Sequence, residues 1–181
     1  MKIIISLLIT TIFLFATQED KLIIDSNHFE SNDSKGIAIF TGDVKMVRIK
    51  DTLNANKVEV FLNTPTKENQ KREATKYIAT GNVSFEVFTA LKHYEGKGDK
   101  VIYLPKKLQY EIIGNGYLKD ITEDKTLIGE NIFIDQQTGN ATVKGSKEKP
   151  VRFILNIESS DKQKSDPEPN TNKESQTNEN N

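Results

Sequence analysis

The chain has no cysteine, and its only histidines among 181 residues are His28 and His93. The missing thiols exclude disulfide bridges, thiolate metal sites and a cysteine nucleophile. Neither histidine has a second histidine or a close pair of carboxylates at metal-ligand spacing, and a cupin-type enzyme would need a histidine cluster. The chain also lacks a Gly-x-Ser-x-Gly nucleophile elbow. We therefore expect a protein that is not an enzyme and that binds no metal or cofactor.

An excess of charge of one sign is also missing, because 25 Lys and Arg residues face 26 Asp and Glu residues, for a formal net charge of -1. Duplex nucleic acid is bound through a basic face, so no nucleic-acid partner is expected. Helical periodicity is missing as well. No stretch carries a convincing apolar stripe with the spacing of a helix, so no amphipathic helix is predicted.

The two ends of the chain differ from the part between them. Lys2 precedes an uncharged run over residues 3–15, which is shorter than the roughly 20 apolar residues that a membrane-spanning helix needs. We predict that residues 1–16 are a secretory signal peptide cleaved after Ala16, with a retained membrane anchor as the alternative. Residues 158–181 contain no aliphatic or aromatic residue and are predicted to be a disordered tail. The folded unit is then residues 20–157.

Within the folded unit, apolar and polar residues alternate. Val83, Phe85 and Val87 share one face of a predicted strand, and Ser84 and Glu86 share the other. The same alternation occurs over residues 58–62 and 151–155 and is typical of half-buried β-strands. Turn signals separate these strands at residues 32–36, 63–65, 96–99, 122–125 and 137–140. Short strands at this spacing predict an all-β meander, sandwich or jelly roll.

A glycine interrupts the apolar run in three related stretches, AIFTGDVKM (38–46), YIATGNVSFE (77–86) and EIIGNGYLK (111–119). A second β-rich stretch follows each, at residues 54–62, 96–104 and 128–135. Repeats of this length favour stacked β units that complete one another's apolar face. Gly42, Gly81 and Gly114 either bend a strand, which would curl the sheet around a groove, or sit in hairpin turns. The sequence leaves both interpretations open.

These stretches resemble the OstA-like (LptA) family of periplasmic lipopolysaccharide-transport proteins. The matching residues of the first strand are Ala79, Gly81, Asn82 and Val83, and those of the second strand are Gly98, Lys100, Val101 and Tyr103. The similarity extends over about residues 21–157, with two departures: Gly116 stands where the family has a valine, and the loop over residues 63–75 is longer than in the family. It implies an antiparallel β-jelly roll with an open apolar groove that binds the acyl chains of lipid A.

The resemblance also implies partners and a place of action. They are lipopolysaccharide, an inner-membrane exporter subunit, an outer-membrane assembly protein and further copies of the chain joined head to tail, all in the periplasm. The first strand, near residues 22–29, and the last, near residues 151–157, are predicted to lie at the sheet edges, where strand addition is possible. Lys106 and Lys107 either lie in a solvated loop or meet lipid phosphates at the groove mouth.

The candidate lipid-binding residues are those that alternation places on the apolar face of the predicted strands. For each of them, ordinary core packing is the alternative role. They are Val44, Met46, Val58, Val60, Val83, Phe85, Val87, Val101, Tyr103, Leu118, Ile132, Ile134, Phe153 and Leu155. Two other functions stay open at this point, namely a membrane-anchored exporter subunit of the same pathway (LptC-like) and a structural β-repeat protein with a sealed core and no ligand.

Overall fold

Ten antiparallel strands form one open sheet in the computed structural model, which describes residues 21–65 and 71–157. The predicted signal peptide (1–16) and tail (158–181) lie outside the described residues. The elements are β1 Leu22–Asp25, β2 His28–Asn32, β3 Ile37–Arg48, β4 Asp51–Leu62, β5 Ala74–Phe88, β6 His93–Leu104, a 3-10 helix Pro105–Lys107, β7 Gln109–Asp120, β8 Lys125–Asp135, β9 Asn140–Lys144 and β10 Arg152–Leu155. The predicted all-β class is confirmed. In the described part of the chain, no helix is long and apolar enough to cross a membrane.

The sheet is a meander in which the strands from β3 to β8 each pair with their neighbours in sequence. β1 and β2 both pair with β3 and together make one interrupted edge strand. β9 and β10 both pair with β8 and make the other edge in the same way. The prediction that the first and last strands lie at the sheet edges is confirmed.

The Gly–Asx pairs lie inside strands β3, β5 and β7, and not in hairpin turns. Each pair has positive φ at both residues, for example +80° at Gly81 and 49° at Asn82. The pairing register shifts at the same points, between Thr41 and Val44, between Thr80 and Val83, and between Ile113 and Gly116. Each strand therefore carries one extra residue relative to its neighbours, which is a β-bulge. Of the two interpretations that the sequence left open, the structure shows the bent strand.

The aligned bulges divide the sheet into two halves that face each other. The front half-sheet contains β1, β10 and residues 44–55, 83–98 and 116–129. The back half-sheet contains β2, β9 and residues 37–41, 57–62, 74–80, 100–113 and 131–135. The two halves meet closely near the bulges, where a Cβ added to Gly98 of the front would lie 2.6 Å from Ile112 Cγ2 of the back. Both halves contribute to one apolar cluster.

One predicted turn is wrong. Residues 96–99 lie in the middle of β6, not between strands. Gly96 and Gly98 are both buried. A side chain on Gly98 would meet Ile112 of the back half-sheet, and the Phe85 ring on the neighbouring strand occupies the space that a side chain on Gly96 would need. These glycines therefore leave room for neighbouring side chains and do not reverse the chain. The turns predicted near residues 32–36, 122–125 and 137–140 are confirmed to within a residue.

Candidate functional site

A groove runs between the two half-sheets, along the direction in which the strands follow one another. It consists of a first cleft of about 160 Å³ near β3–β6, a narrow neck of about 20 Å³, and a second cleft of about 600 Å³ near β7–β10. Phe85, Val87 and Tyr110 line both the first cleft and the neck. Tyr94, Leu118, Ile134 and Gln136 line both the neck and the second cleft. The three spaces therefore adjoin one another through shared side chains.

The first cleft has an apolar floor and a polar mouth. Its floor is made by residues of both half-sheets, including Met46, Val58, Phe85 and Val101. The mouth is formed by Arg48 and Asp51 at the end of the β3–β4 hairpin and by three tyrosines of the back half-sheet. A ligand with an apolar and a polar part fits such a lining better than a wholly apolar one.

The three tyrosines form a ladder across β5, β6 and β7, because Tyr77 pairs with Tyr103 and Tyr103 pairs with Tyr110. The ring centroids are 6.0 Å apart for the first pair and 4.2 Å for the second, and both pairs are stacked. Burial raises the pKa values of the Tyr77 and Tyr110 hydroxyls above their ordinary value, so both stay neutral donors at physiological pH. The ladder thus lines the cleft with aromatic faces and hydroxyl groups together.

Ion pairs line one side of the second cleft. Lys92 Nζ donates to Asp120 Oδ2 at 2.7 Å and also to Glu123, which accepts from Lys125 as well. Hydrogen bonds to Asp120 and Glu123 raise the pKa of Lys92, and the two lysines lower the pKa of Glu123 to about 2. Both lysines are therefore already balanced by carboxylates, one of which, Asp120, is buried.

The groove stays open where the sheet ends. At the β9–β10 edge Phe153 is 57% exposed and Leu155 is 42% exposed, although both lie on the inward face of the sheet. At the β1–β2 edge Leu22 and Phe29 are exposed as well. Apolar side chains thus continue to both ends of the groove, and no strand within residues 21–65 and 71–157 covers them.

The sequence-predicted candidates fall into three groups. Nine line the groove, namely Met46, Val58, Phe85, Val87, Val101, Tyr103, Leu118, Ile134 and Phe153. Four belong to the apolar cluster and do not line a cleft, namely Val44, Val60, Val83 and Ile132. Leu155 lies exposed in β10. Their part in lipid binding stays a prediction.

Sequence reasoning missed several groove residues, including Leu53, Tyr77, Tyr94, Tyr110 and Leu127. Tyr77 and Tyr110 lie two residues from Ala79 and Ile112, on the same inward faces. Continuing the alternation to the start of each strand would have identified both tyrosines.

Each histidine side chain lies beside a single carboxylate in the described part of the chain. His28 Nε2 lies 3.0 Å from Glu30 Oε1. His93 Nε2 lies 2.7 Å from Glu86 Oε1, and its ring stacks on Phe88 with the centroids 4.1 Å apart. In residues 21–65 and 71–157, no three His, Cys, Asp or Glu side chains are grouped as metal ligands.

Comparison with known proteins agrees with this architecture. Among solved structures, the fold is similar to that of LptH, the LptA-homologous periplasmic component of the lipopolysaccharide transport device of Pseudomonas aeruginosa, with a TM-score of 0.64. The alignment covers 76% of this chain and 96% of LptH at 16% identity, a level that shows a shared fold. No curated protein matches the chain in sequence.

The sequence itself is matched by a family model over residues 23–140, which is more than half of the chain. The model is described as LptA/(LptD N-terminal domain) LPS transport protein. The matched segment contains all three Gly–Asx bulges and most of the groove. The predicted resemblance is confirmed, and the chain belongs to the LptA/LptD N-terminal domain family of lipopolysaccharide transport proteins.

Proposed function

We propose that the chain is a periplasmic carrier whose groove shelters the acyl chains of lipid A while lipopolysaccharide crosses the aqueous space between the two membranes. The observation that carries this proposal is the row of adjoining apolar clefts, which reaches from β1 to β10 of an open sheet. Family membership supplies the lipid class, and the groove supplies a place for its tails. A structural repeat protein with a sealed core would not need such a space.

The energetic need for the groove is large. Burial of one methylene group is worth roughly 0.8 kcal/mol, so one long acyl chain costs on the order of 10 kcal/mol in water. A β-lined groove meets this need without exposing backbone polar groups, since the strand ladder satisfies them while alternate side chains point inward. Transport of this kind involves no bond making or breaking, in keeping with a non-enzymatic role.

The carrier would also bridge the two membranes through its sheet edges. Ile23 at the β1 edge is 55% exposed and Ile154 at the β10 edge is 44% exposed. Both edges thus offer apolar residues together with a strand side that no other strand of the described residues pairs with. Strand addition at one edge would join the carrier to the inner-membrane exporter subunit, and strand addition at the other edge would join it to the outer-membrane assembly protein. Strand addition between copies of the chain would give a head-to-tail oligomer. In each case the groove of one partner would continue into that of the next.

Site-specific photocrosslinking tests the proposal. A photoreactive residue at Phe85, which lines the first cleft and the neck, should label lipopolysaccharide in the periplasm. The matched control is Glu86, the next residue, whose side chain lies on the opposite face of β5. Labelling at Glu86 and not at Phe85, or no lipopolysaccharide adduct at either position, would contradict binding in the groove.

A further inference from the structure

The mouth of the first cleft carries polar groups that can form no hydrogen bonds with acyl chains. Tyr77, Tyr103 and Tyr110 place three hydroxyls in one cross-strand row on the back half-sheet. Arg48, exposed at the end of β3, lines the same cleft from the front half-sheet. The positive charge of Arg48 acts on the pKa values of both Tyr77 and Tyr110, which places the guanidinium near that row. The two half-sheets thus present donors to one another across the opening.

The charges around this mouth are mostly positive. Lys50 lies in the β3–β4 turn beside Arg48, and Lys106 and Lys107 follow Pro105, which lines the cleft. Among the described residues two carboxylates, Asp51 and Glu73, lie close by, and each makes a contact of its own. Glu73 is 3.0 Å from Lys106 Nζ, and Asp51 Oδ1 accepts a hydrogen bond from the Phe88 N–H at 2.9 Å.

The second cleft has the opposite balance. Its lysines, Lys92 and Lys125, are engaged with Asp120 and Glu123, and Asp135 adds a further carboxylate to the lining. An anionic group would be attracted to the first mouth and repelled from the second. The groove therefore has a polarity along its length, although its apolar floor is similar throughout.

We propose that the first mouth, built from Arg48 and the Tyr77–Tyr103–Tyr110 ladder, binds the phosphorylated sugar head group of the amphiphile whose tails occupy the groove. The guanidinium would pair with phosphate oxygens, for which its planar fork is suited. The tyrosine hydroxyls would donate to phosphate or sugar oxygens at the level where the head group meets the tails. This inference rests on the proposed carrier function and fixes the end of the groove at which the head group lies.

The test compares two ligands on the purified full chain, bisphosphorylated lipid A and the same lipid A with its phosphates removed. Loss of one charged hydrogen-bonded contact changes affinity by roughly tenfold, or about 1.4 kcal/mol. We expect the chain to prefer the phosphorylated lipid by at least this factor, and Arg48→Gln to lose most of that preference. Arg48→Lys should keep part of it. The matched control is Arg152→Gln, which removes the same charge from an exposed position in β10.

The ratio of the two affinities is the deciding quantity, because a purely structural effect of Arg48→Gln would weaken both lipids equally and leave the ratio unchanged. An unchanged ratio would overturn the proposal. Should Arg48→Gln fail to fold, the same affinity ratio is measured on Tyr103→Phe, which keeps the ring stack and removes a hydroxyl. A wild-type chain that binds both lipids equally would refute the head-group site and leave the carrier function standing. Binding of neither lipid would refute the carrier function itself.

A competition experiment distinguishes a site for a lipid head group from a site for free phosphate. Inorganic phosphate at millimolar concentration should not displace bisphosphorylated lipid A from the full chain, because free phosphate gains nothing from the apolar floor. Complete displacement would show a site for the free anion and would overturn the head-group assignment.

Discussion

At the residue scale, the glycine of each Gly–Asx bulge packs against a polar side chain that lies earlier in the chain. A Cβ on Gly42 would come within 2.8 Å of Asn27 Nδ2, and one on Gly81 within 2.7 Å of Asn56 Nδ2. Asp99 covers Gly114 in the same way and accepts a hydrogen bond from Asn115 Nδ2 at 2.9 Å. The bulge therefore needs glycine for two reasons, a positive φ and the close approach of this neighbour.

The two reasons can be measured separately with two glycine substitutions. Gly139 has φ +74° and no atom within 4 Å of an added Cβ, so Gly139→Ala should cost only the left-handed conformation, about 1 kcal/mol. Gly81→Ala, at φ +80°, must also displace Asn56, and overpacking of this kind adds roughly 1–3 kcal/mol. Denaturant unfolding of both variants gives the difference. Equal losses of stability would mean that Asn56 moves aside at no cost.

Single residues also show how far the sequence predicts the site. Val58, Phe85 and Val101 were predicted to face inward because alternation is strict within each half of a strand, and they do. Gly96 was misassigned to a turn, because nothing in its own stretch shows that the Phe85 ring, eleven positions earlier, fills the space above it. Contacts of this kind depend on strand register, which local sequence does not specify.

At the element scale, the β3–β4 hairpin turns through Ile49 and Lys50 with a β-branched residue in the left-handed region. Ile49 has φ 57° and is 70% exposed, so it bears conformational strain and contributes little burial in return. Ile49→Asn should stabilise the protein by about 1 kcal/mol, because asparagine tolerates this conformation far better. The melting temperature should rise by roughly 3 °C.

The neighbouring β5–β6 hairpin provides the control. Leu91 is 83% exposed in its turn and does not have a positive φ. Leu91→Asn also replaces an exposed aliphatic side chain with asparagine but relieves no backbone strain. The melting temperature of this variant should therefore stay close to that of the wild type. An equal rise in both variants would point to loss of surface apolarity as the cause and not to backbone strain.

The strands themselves were predictable, but their continuity was not. In β4 and β6 the inward positions run in steps of two up to the bulge line and then change parity, from Ala55 to Val58 and from Gly98 to Val101. From sequence periodicity alone, such a change predicts the end of one strand and the start of another. The bulges in β3, β5 and β7 supply the extra residue that keeps neighbouring strands paired through the bend.

At the scale of the whole molecule, the open edges are the feature that most affects behaviour in solution. Charged residues at an exposed edge oppose strand addition, so the double variant Ile23→Glu with Ile154→Glu should lower the average mass of the proposed oligomer toward that of the monomer. Neither residue lines a cleft. Light scattering over a range of concentrations measures the change.

The control places the same added charge away from the edges. Ile49→Glu with Asn54→Glu alters two exposed positions that line no cleft and should leave the mass distribution as it is in the wild type. If both double variants dissociate equally, net charge and not edge pairing governs association. If neither does, association does not use these edges.

The groove as a whole follows from the sequence only through the family resemblance. Alternation predicts an apolar face for each strand, and repetition predicts that the faces add up. Neither decides whether the two halves close on each other or stay apart. That depends on side-chain size at the interior, such as the three tyrosines that hold the first cleft open at its rim.

Each strand from β4 to β7 pairs only with its neighbours in sequence, so the sheet can be lengthened by adding strands. Duplication of one hairpin, cut at two equivalent bulges, would insert two strands without disturbing any existing pairing, and would lengthen the lipid path by roughly 10 Å. The length of the groove would thus depend on the number of copies of a unit of 33 to 39 residues, which is the spacing between Gly42, Gly81 and Gly114 and lies in the range that repeat architectures use. Proteins that arise by such duplications would differ in groove length by steps of two strands and would keep the same groove cross-section.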